Sequence, residues 1–244
     1  MTRKQDTIYS APLLEIVDFE FDEQVADVFP DMINRSVPGY ALMVSTIGVL
    51  AAKYARANSH CYDLGCSLGA ASLAMRQNIR QPGCDIIAVD NSKAMLARAR
   101  RLLDGDTVSA VPVRMVCADI QNVAIENASV VVLNLTLQFI PPTERLALIE
   151  RIYQGLKPGG LLILSEKIAF EEARRQQFHT DVHHDYKRAN GYSDLEISQK
   201  RSALEQVMIP ETLMCHQQRL LKAGFAFVEV WFQCLNFMSL VAVK

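Results

Sequence analysis

Residues able to hold a polar ligand recur just after apolar runs in this chain. They are the turn Gly65-Cys66-Ser67-Leu68-Gly69, then Asp90, Asp119 and Asn134. Gly65 and Gly69 carry no side chain, so backbone can approach a ligand closely there. A helix starting near Gly69 points its free N–H groups back at the turn. The spacing is not G-x-G-x-x-G, because Ser67 stands at the central glycine position. Asp63 also comes too early for a phosphate cradle, since a carboxylate repels an anion; it suits a cationic partner or an amino group. Asp90 can accept from both hydroxyls of a ribose. Asp119 can accept from the exocyclic amino group of adenine, with the Ile120 N–H donating to a ring nitrogen. Asn134 offers a donor and an acceptor to a small polar head. The bland alternative for each is a helix cap or a plain corner, and Asp90, just before Ser92, could serve as a cap.

These residues need a scaffold that brings strand ends together. Five apolar strand-like runs alternate with helical patterns: His60–Leu64, Asp85–Asp90, Val111–Cys117, Ser129–Leu133 and Leu161–Ser165. The helices between them are expected over Ala70–Ile79, from Ser92 through Leu103, and from Pro141 to Leu156. Continuous apolar runs separated by helices predict parallel strands buried on both faces. Ala226–Cys234 and Phe237–Val243 add a final strand pair, after a helix at Glu211–Ala223. The expected fold is α/β, a doubly wound, mostly parallel seven-stranded sheet. In such sheets ligands bind beyond the carboxyl ends of the strands, which is where the four candidates fall. Residues 1–39 read as an N-terminal arm and cap. Asp22 caps a short helix that Pro30 stops at Phe29, and a second helix, 40–56, is apolar almost all round and should be buried. Residues 168–206 read as a polar helical insertion broken at Gly191. The whole chain, 1–244, is expected to be one domain.

Composition excludes several classes. A net charge of −2 gives no general pull toward nucleic acid or anionic membrane. The six cysteines are scattered and form no C-x-x-C pair, so they read as reduced thiols of a cytoplasmic protein. The N-terminal Met-Thr-Arg-Lys-Gln-Asp lacks an apolar signal region, and no window is apolar enough for a membrane helix. No metal is expected: adjacent His183 and His184 on a helix point about 100° apart and rarely share an ion. Cys66 reads as a small packing residue, since no histidine is suitably spaced and a nearby Asp63 would raise its pKa.

The acidic, glycine-bearing turn resembles that of S-adenosylmethionine-dependent methyltransferases of class I, over about residues 40–244. Longer runs are more specific. Val28-Phe-Pro-Asp-Met-Ile-Asn-Arg-Ser-Val-Pro-Gly-Tyr40, Tyr62-Asp-Leu-Gly-Cys-Ser-Leu-Gly-Ala-Ala71, Val132-Leu-Asn-Leu-Thr-Leu-Gln-Phe139 and the stretch from His183 to Ser202 resemble the bacterial carboxy-S-adenosyl-L-methionine synthase family, nearly end to end. The resemblance implies conversion of S-adenosylmethionine and prephenate into carboxy-S-adenosylmethionine and phenylpyruvate. It implies that the product serves a partner enzyme, a tRNA carboxymethyltransferase that builds 5-oxyacetic acid on wobble uridine. It implies a ligand site of Tyr40, Gly65, Cys66, Ser67, Asp90, Asn91, Asp119, Ile120, Asn134 and Arg201. Gly65 to Ser67 would hold the amino acid end, Asp90 and Asn91 the ribose, and Asp119 with Ile120 the adenine. Arg201 would bind the added carboxylate, and in a homodimer could reach the neighbouring pocket. By pattern alone Arg201 is a surface helix charge.

Carboxylating a sulfonium methyl requires that carbon to lose a proton, and no side chain at its usual pKa is basic enough. Prephenate can supply the base itself: becoming aromatic, it releases hydroxide and carbon dioxide, and the resulting ylide captures the latter. The protein then positions the reactants and excludes water. Lys200 and Arg188 are candidates to assist the dianionic prephenate. Two other classes stay open, a conventional methyltransferase acting on a small acid or tRNA, and a non-catalytic S-adenosylmethionine-binding regulator.

Overall fold

Four of the five apolar runs form strands buried on both faces, and the third, Val113–Cys117 at the sheet edge, is only partly buried, in a computed structural model that describes residues 4–107 and 109–244. β1 (His60–Leu64), β2 (Asp85–Asp90), β3 (Val113–Cys117), β4 (Ala128–Asn134) and β5 (Leu156–Ala169) are mutually parallel. A two-residue β6 (Glu211–Thr212), β7 (Phe227–Cys234) and β8 (Phe237–Val243) follow. The sheet order is β3-β2-β1-β4-β5-β8-β7, with β6 pairing β5 off this path. β8 runs antiparallel to both its neighbours. The chain reverses its direction of winding between β2 and β4, on either side of β1, which opens the crevice typical of doubly wound sheets.

Alternate residues of each strand enter opposite layers, as the two-residue strand period requires. Cys61, Ile86, Val130, Val132, Leu161 and Ile163 pack against α2 (Tyr40–Tyr54) and α3 (Ala70–Asn78). Tyr62, Leu64, Val131, Leu133, Leu162 and Leu164 pack on the other face against α5 (Pro142–Gly155) and α8 (Leu213–Ala223). α1 (Glu23–Ser36), α4 (Lys93–Asp104) and α7 (Asp194–Leu204) meet with the N-terminal arm in a third apolar cluster, where Phe19, Met32, Met95 and Ala203 touch. α6 (Ala173–Ala189) and α7 lie between β5 and β6, with Gly191 at φ +86° making the break.

The structure corrects the sequence reading at several elements. α1 continues through Pro30 to Ser36. A proline inside a helix costs about 3 kcal/mol, and here it is outweighed by burying Met32 in the third cluster and by the Asn34 side chain bonding the Pro30 carbonyl at 2.6 Å. α2 is buried along one stripe only: Leu42 and Val49 are both 60% exposed. The Lys157–Gly160 turn interrupts β5 rather than preceding it, so that Ala128 pairs with Leu156 and Val130 with Leu161. Glu211 and Thr212 form a strand, and Thr212 caps α8 through the Cys215 N–H. Among the described residues the main path of the sheet keeps the seven strands expected, and the two-residue β6 is an addition off that path. Among the described residues no single helix is long and apolar enough to cross a membrane. Met1 to Arg3, part of the expected arm, and Val108 lie outside the described residues.

Candidate functional site

The turn after β1 is pinned to the neighbouring strand: the Gly65 and Cys66 N–H groups both donate to the Val89 carbonyl, at 2.8 and 2.9 Å. Gly65 has φ +77°, and a Cβ there would lie 2.3 Å from Thr136 Cγ2, so only glycine fits. Ser67 adopts φ +50°, which shows how serine serves where a third glycine is usual. Its N–H donates to Asp90 Oδ2 at 2.8 Å, joining the turn to the end of β2.

Asp90 uses its other oxygen, Oδ1, to accept from the Ser92 N–H at 2.8 Å. The helix-cap role passes to the Ser92 hydroxyl, which accepts from Met95. Two fixed N–H donors orient the Asp90 carboxylate, whose remaining lone pairs can take ligand hydroxyls. Burial raises its pKa, and those two hydrogen bonds oppose the rise. Asn91 donates from Nδ2 to Asp119 Oδ1 at 2.9 Å, tying the ends of β2 and β3 together. Ile120, buried behind Asp119, begins a single 3₁₀ turn.

Asp63 lies fully inside, accepting from the Ser72 N–H at 2.9 Å and the Ser72 hydroxyl at 2.6 Å. Desolvation raises it to about 6 against those hydrogen bonds. At least one of its oxygens thus anchors the start of α3 instead of waiting for a cationic partner. Burial, then the charges of Asp63 and Asp90, push the Cys66 thiol far up, so it is a neutral packing group. Burial and Asp63 likewise raise the Tyr40 phenol, which keeps its proton.

Tyr40, Gly65, Cys66, Ser67, Asp90, Asn91, Asp119, Ile120 and Asn134 all border one cavity of about 410 Å³. That volume suits a small-molecule site. Within it the buried Asn134 Oδ1 has no hydrogen-bond partner among the described residues. An unpaired buried carbonyl oxygen is costly, so this atom marks a place for a ligand donor such as an amino group. The acids at one side, the glycine turn in the middle and the Asn134 acceptor fit a nucleoside carrying an amino acid.

Arg201 does not border this cavity in its own chain. It is exposed on α7, and its charge is felt at Lys167 and His184, whose pKa values it helps to lower. Arg188 is also outside, bound to Asp185 at 2.6 Å and Asp194 at 2.7 Å. Lys200 does border it. His183 borders it as a neutral ring: Nε2 donates to the Ser36 carbonyl at 2.8 Å, and burial with Lys187 and Lys167 depresses its pKa to about 3. Sequence reasoning missed Lys167 and Lys187, which face the cavity from β5 and α6. It also missed an aromatic wall in which Phe21, on the arm, packs edge-to-face with Phe19, Phe29 and Phe139. The cluster of phenylalanines at 19, 21 and 29 was the available signal.

Residues 62–160 match a family model described as a methyltransferase domain. Over its full 244 residues the chain is 73% identical to a carboxy-S-adenosyl-L-methionine synthase of Geobacter metallireducens, covering 100% of both proteins. It is 58% identical to the enzyme of the same name from Vibrio cholerae, over 98% of this chain and 97% of that one. Among solved structures it resembles a putative S-adenosyl-L-methionine-dependent methyltransferase from Methanococcus maripaludis, with a TM-score of 0.61, 18% identity and coverage of 95% and 97% of the two chains. At that identity the structural match speaks for the fold alone.

Proposed function

The chain belongs to the carboxy-S-adenosyl-L-methionine synthase family, a family of transferases with the class I methyltransferase fold, and from that premise we propose that it makes carboxy-S-adenosylmethionine from S-adenosylmethionine and prephenate. The observation that carries this reading is the convergence of the Gly65–Ser67 turn, Asp90, Asp119 and Asn134 on one cavity. S-adenosylmethionine is a substrate here. Its ribose goes to Asp90 and Asn91, its adenine to Asp119 and Ile120, and its amino acid end to the turn and Asn134.

Prephenate becomes aromatic, leaving as phenylpyruvate, carbon dioxide and hydroxide. The sulfonium methyl gives one proton to that hydroxide, forming water, and its carbon bonds the carbon dioxide, forming a carboxylate. Even Asp63, raised to about 6, is far too weak a base for a methyl group. The chain's part is to hold both reactants and keep bulk water out, which the Phe19, Phe21 and Phe139 wall favours.

The same reading includes a homodimer, in which exposed Leu14 and Val17 of the arm and Leu42 and Val49 of α2 are covered. Arg201, exposed on its own subunit, is then offered to the neighbouring pocket to bind the new carboxylate. The product passes to a tRNA carboxymethyltransferase, and this chain makes no nucleic acid contact itself. Six unpaired thiols accord with the cytoplasm.

Mass spectrometry of the small molecule released on denaturing the purified protein tests the reaction. The expected species is heavier than S-adenosylmethionine by one carbon dioxide. Unmodified S-adenosylmethionine, with no conversion after prephenate is added, would overturn it and leave a methyltransferase or a regulator.

A further inference from the structure

Three lysines from three separate elements face the cavity: Lys167 on β5, Lys187 on α6 and Lys200 on α7. Lysines ordinarily keep their ammonium groups in water. Lys200 is only 6% exposed. Lys167 and Lys187 have no carboxylate at ion-pair distance among the described residues. Asp6 lies 3.6 Å from Lys200 Nζ, and the charge of Asp31, itself paired with Arg35, also reaches Lys200. Asp6 already accepts from the Tyr192 hydroxyl and from the Ile8 N–H, and the buried Lys200 Nζ completes no hydrogen bond among the described residues. Burial of like charges with so little compensation is unfavourable, and an anion in the cavity would relieve it.

The cluster stands at the opposite end from the acids. Between β2 and β5 the sheet order places β1 and β4, three steps in all. At roughly 4.8 Å per step, Asp90 and the β5 edge are ~14 Å apart. Asn134 lies between them and pairs with Ser165, just before Lys167. The cavity thus has an acidic end suited to hydroxyls and amines and a basic end suited to carboxylates.

We propose that Lys167, Lys187 and Lys200 form the binding subsite for the two carboxylates of the second substrate. The choice of a dicarboxylate rests on the reaction proposed above. Two negative charges against three ammonium groups convert an unfavourable cluster into charge-assisted hydrogen bonds. Burial, then the charge of Arg201, holds Lys167 at about 8; burial holds Lys200 at about 8, with Asp6 and Asp31 opposing and Arg35 adding to the drop; burial, then Lys200 and Lys167, holds Lys187 at about 7 against Asp6. His183, neutral beside them, adds no further charge.

The test uses the full chain saturated with S-adenosylhomocysteine, which has no methyl group to react. Prephenate is titrated into it by calorimetry, in parallel with steady-state turnover of S-adenosylmethionine and prephenate. Lys167→Met and Lys187→Met are each expected to raise the Kd and KM for prephenate about tenfold or more, from loss of a charge-assisted contact. The affinity for S-adenosylhomocysteine should stay within about twofold, and Lys→Arg variants should recover part of the loss. Each Met variant is expected to melt at or above the wild type, because an unpaired buried charge is gone; where one fails to fold, Lys→Gln at that position is read instead.

Wild-type turnover with unchanged prephenate Kd in both variants would overturn the subsite and leave the reaction standing. Lysine-dependent binding of prephenate without any turnover would keep the subsite and overturn the reaction. Should prephenate neither bind nor react, the reaction fails, and malonate becomes the probe. Malonate binding that the Met variants abolish keeps the subsite; no such binding overturns it.

Discussion

Asn134 is the residue where structural cost and binding gain separate most cleanly. Its buried Oδ1 lacks a partner among the described residues, so no hydrogen bond there offsets its desolvation. Against a ligand amino group it would make a strong, charge-assisted hydrogen bond, worth about 1.5–3 kcal/mol. Asn134→Ala is therefore expected to weaken S-adenosylmethionine binding by about tenfold or more, without lowering the melting temperature. Calorimetric titration beside a thermal melt reads both. A variant that melts lower yet binds normally would show that the side chain serves packing alone. Asp90 is the contrasting case. Its two backbone N–H contacts, from Ser67 and Ser92, make it structural, and it borders the cavity as well, so replacing it would confuse the two roles.

At the scale of elements, α7 decides how the basic end is presented. It begins with a capping box: the Ser193 hydroxyl accepts from the Glu196 N–H, and the Glu196 carboxylate accepts from the Ser193 N–H at 2.7 Å. These satisfy donors that a helix start leaves free. Farther along, Gln199 bonds the arm, taking the Leu13 N–H at 2.7 Å and donating to the Tyr9 and Ala11 carbonyls, each at 2.9 Å. The arm, α1 and α7 therefore form one packed cap above the strand ends. Ser193→Ala is expected to cost about 1 kcal/mol. In a domain of this size that lowers the melting temperature by roughly 2–4 °C. An unchanged melt would mean that packing alone holds the start of α7.

For the whole molecule, the charge arrangement gives stability a distinctive dependence on pH. Lys187 sits near 7, lowered by burial, then by Lys200 and Lys167, with Asp6 opposing. Its ordinary value is 10.5. From pH 7 to 10.5 the unfolded chain binds a proton at this amine that the native chain lacks, so its effect is to raise stability as pH climbs. Glu166, buried and raised from 4.5 to about 8, acts in the opposite sense between those values, since there the native chain holds the extra proton. Comparison with Lys187→Met cancels that background. The variant is expected to melt above the wild type at pH 7, and the gap to narrow steadily by pH 10. A constant gap would mean that the amine is solvated in the native protein. The sequence by itself determined the sheet and the edge at which the candidate site residues gather. Strands buried on both faces must be continuously apolar, and the turn at Gly65 to Gly69, Asp90, Asp119 and Asn134 are each adjacent in sequence to a strand end, so local pattern locates them. It could not determine which of Arg188, Lys200 and Arg201 faces inward, because the polar faces of α6 and α7 show no apolar stripe to orient them. Nor could it join Phe19 and Phe21 to Phe139, or Lys167 to Lys187 and Lys200. Those groups meet only because the cap folds across the sheet edge, and their burial is decided by contacts distant in sequence. Pro30 illustrates the same limit: its local preference is to end a helix, and packing of α1 against the cap overrules it.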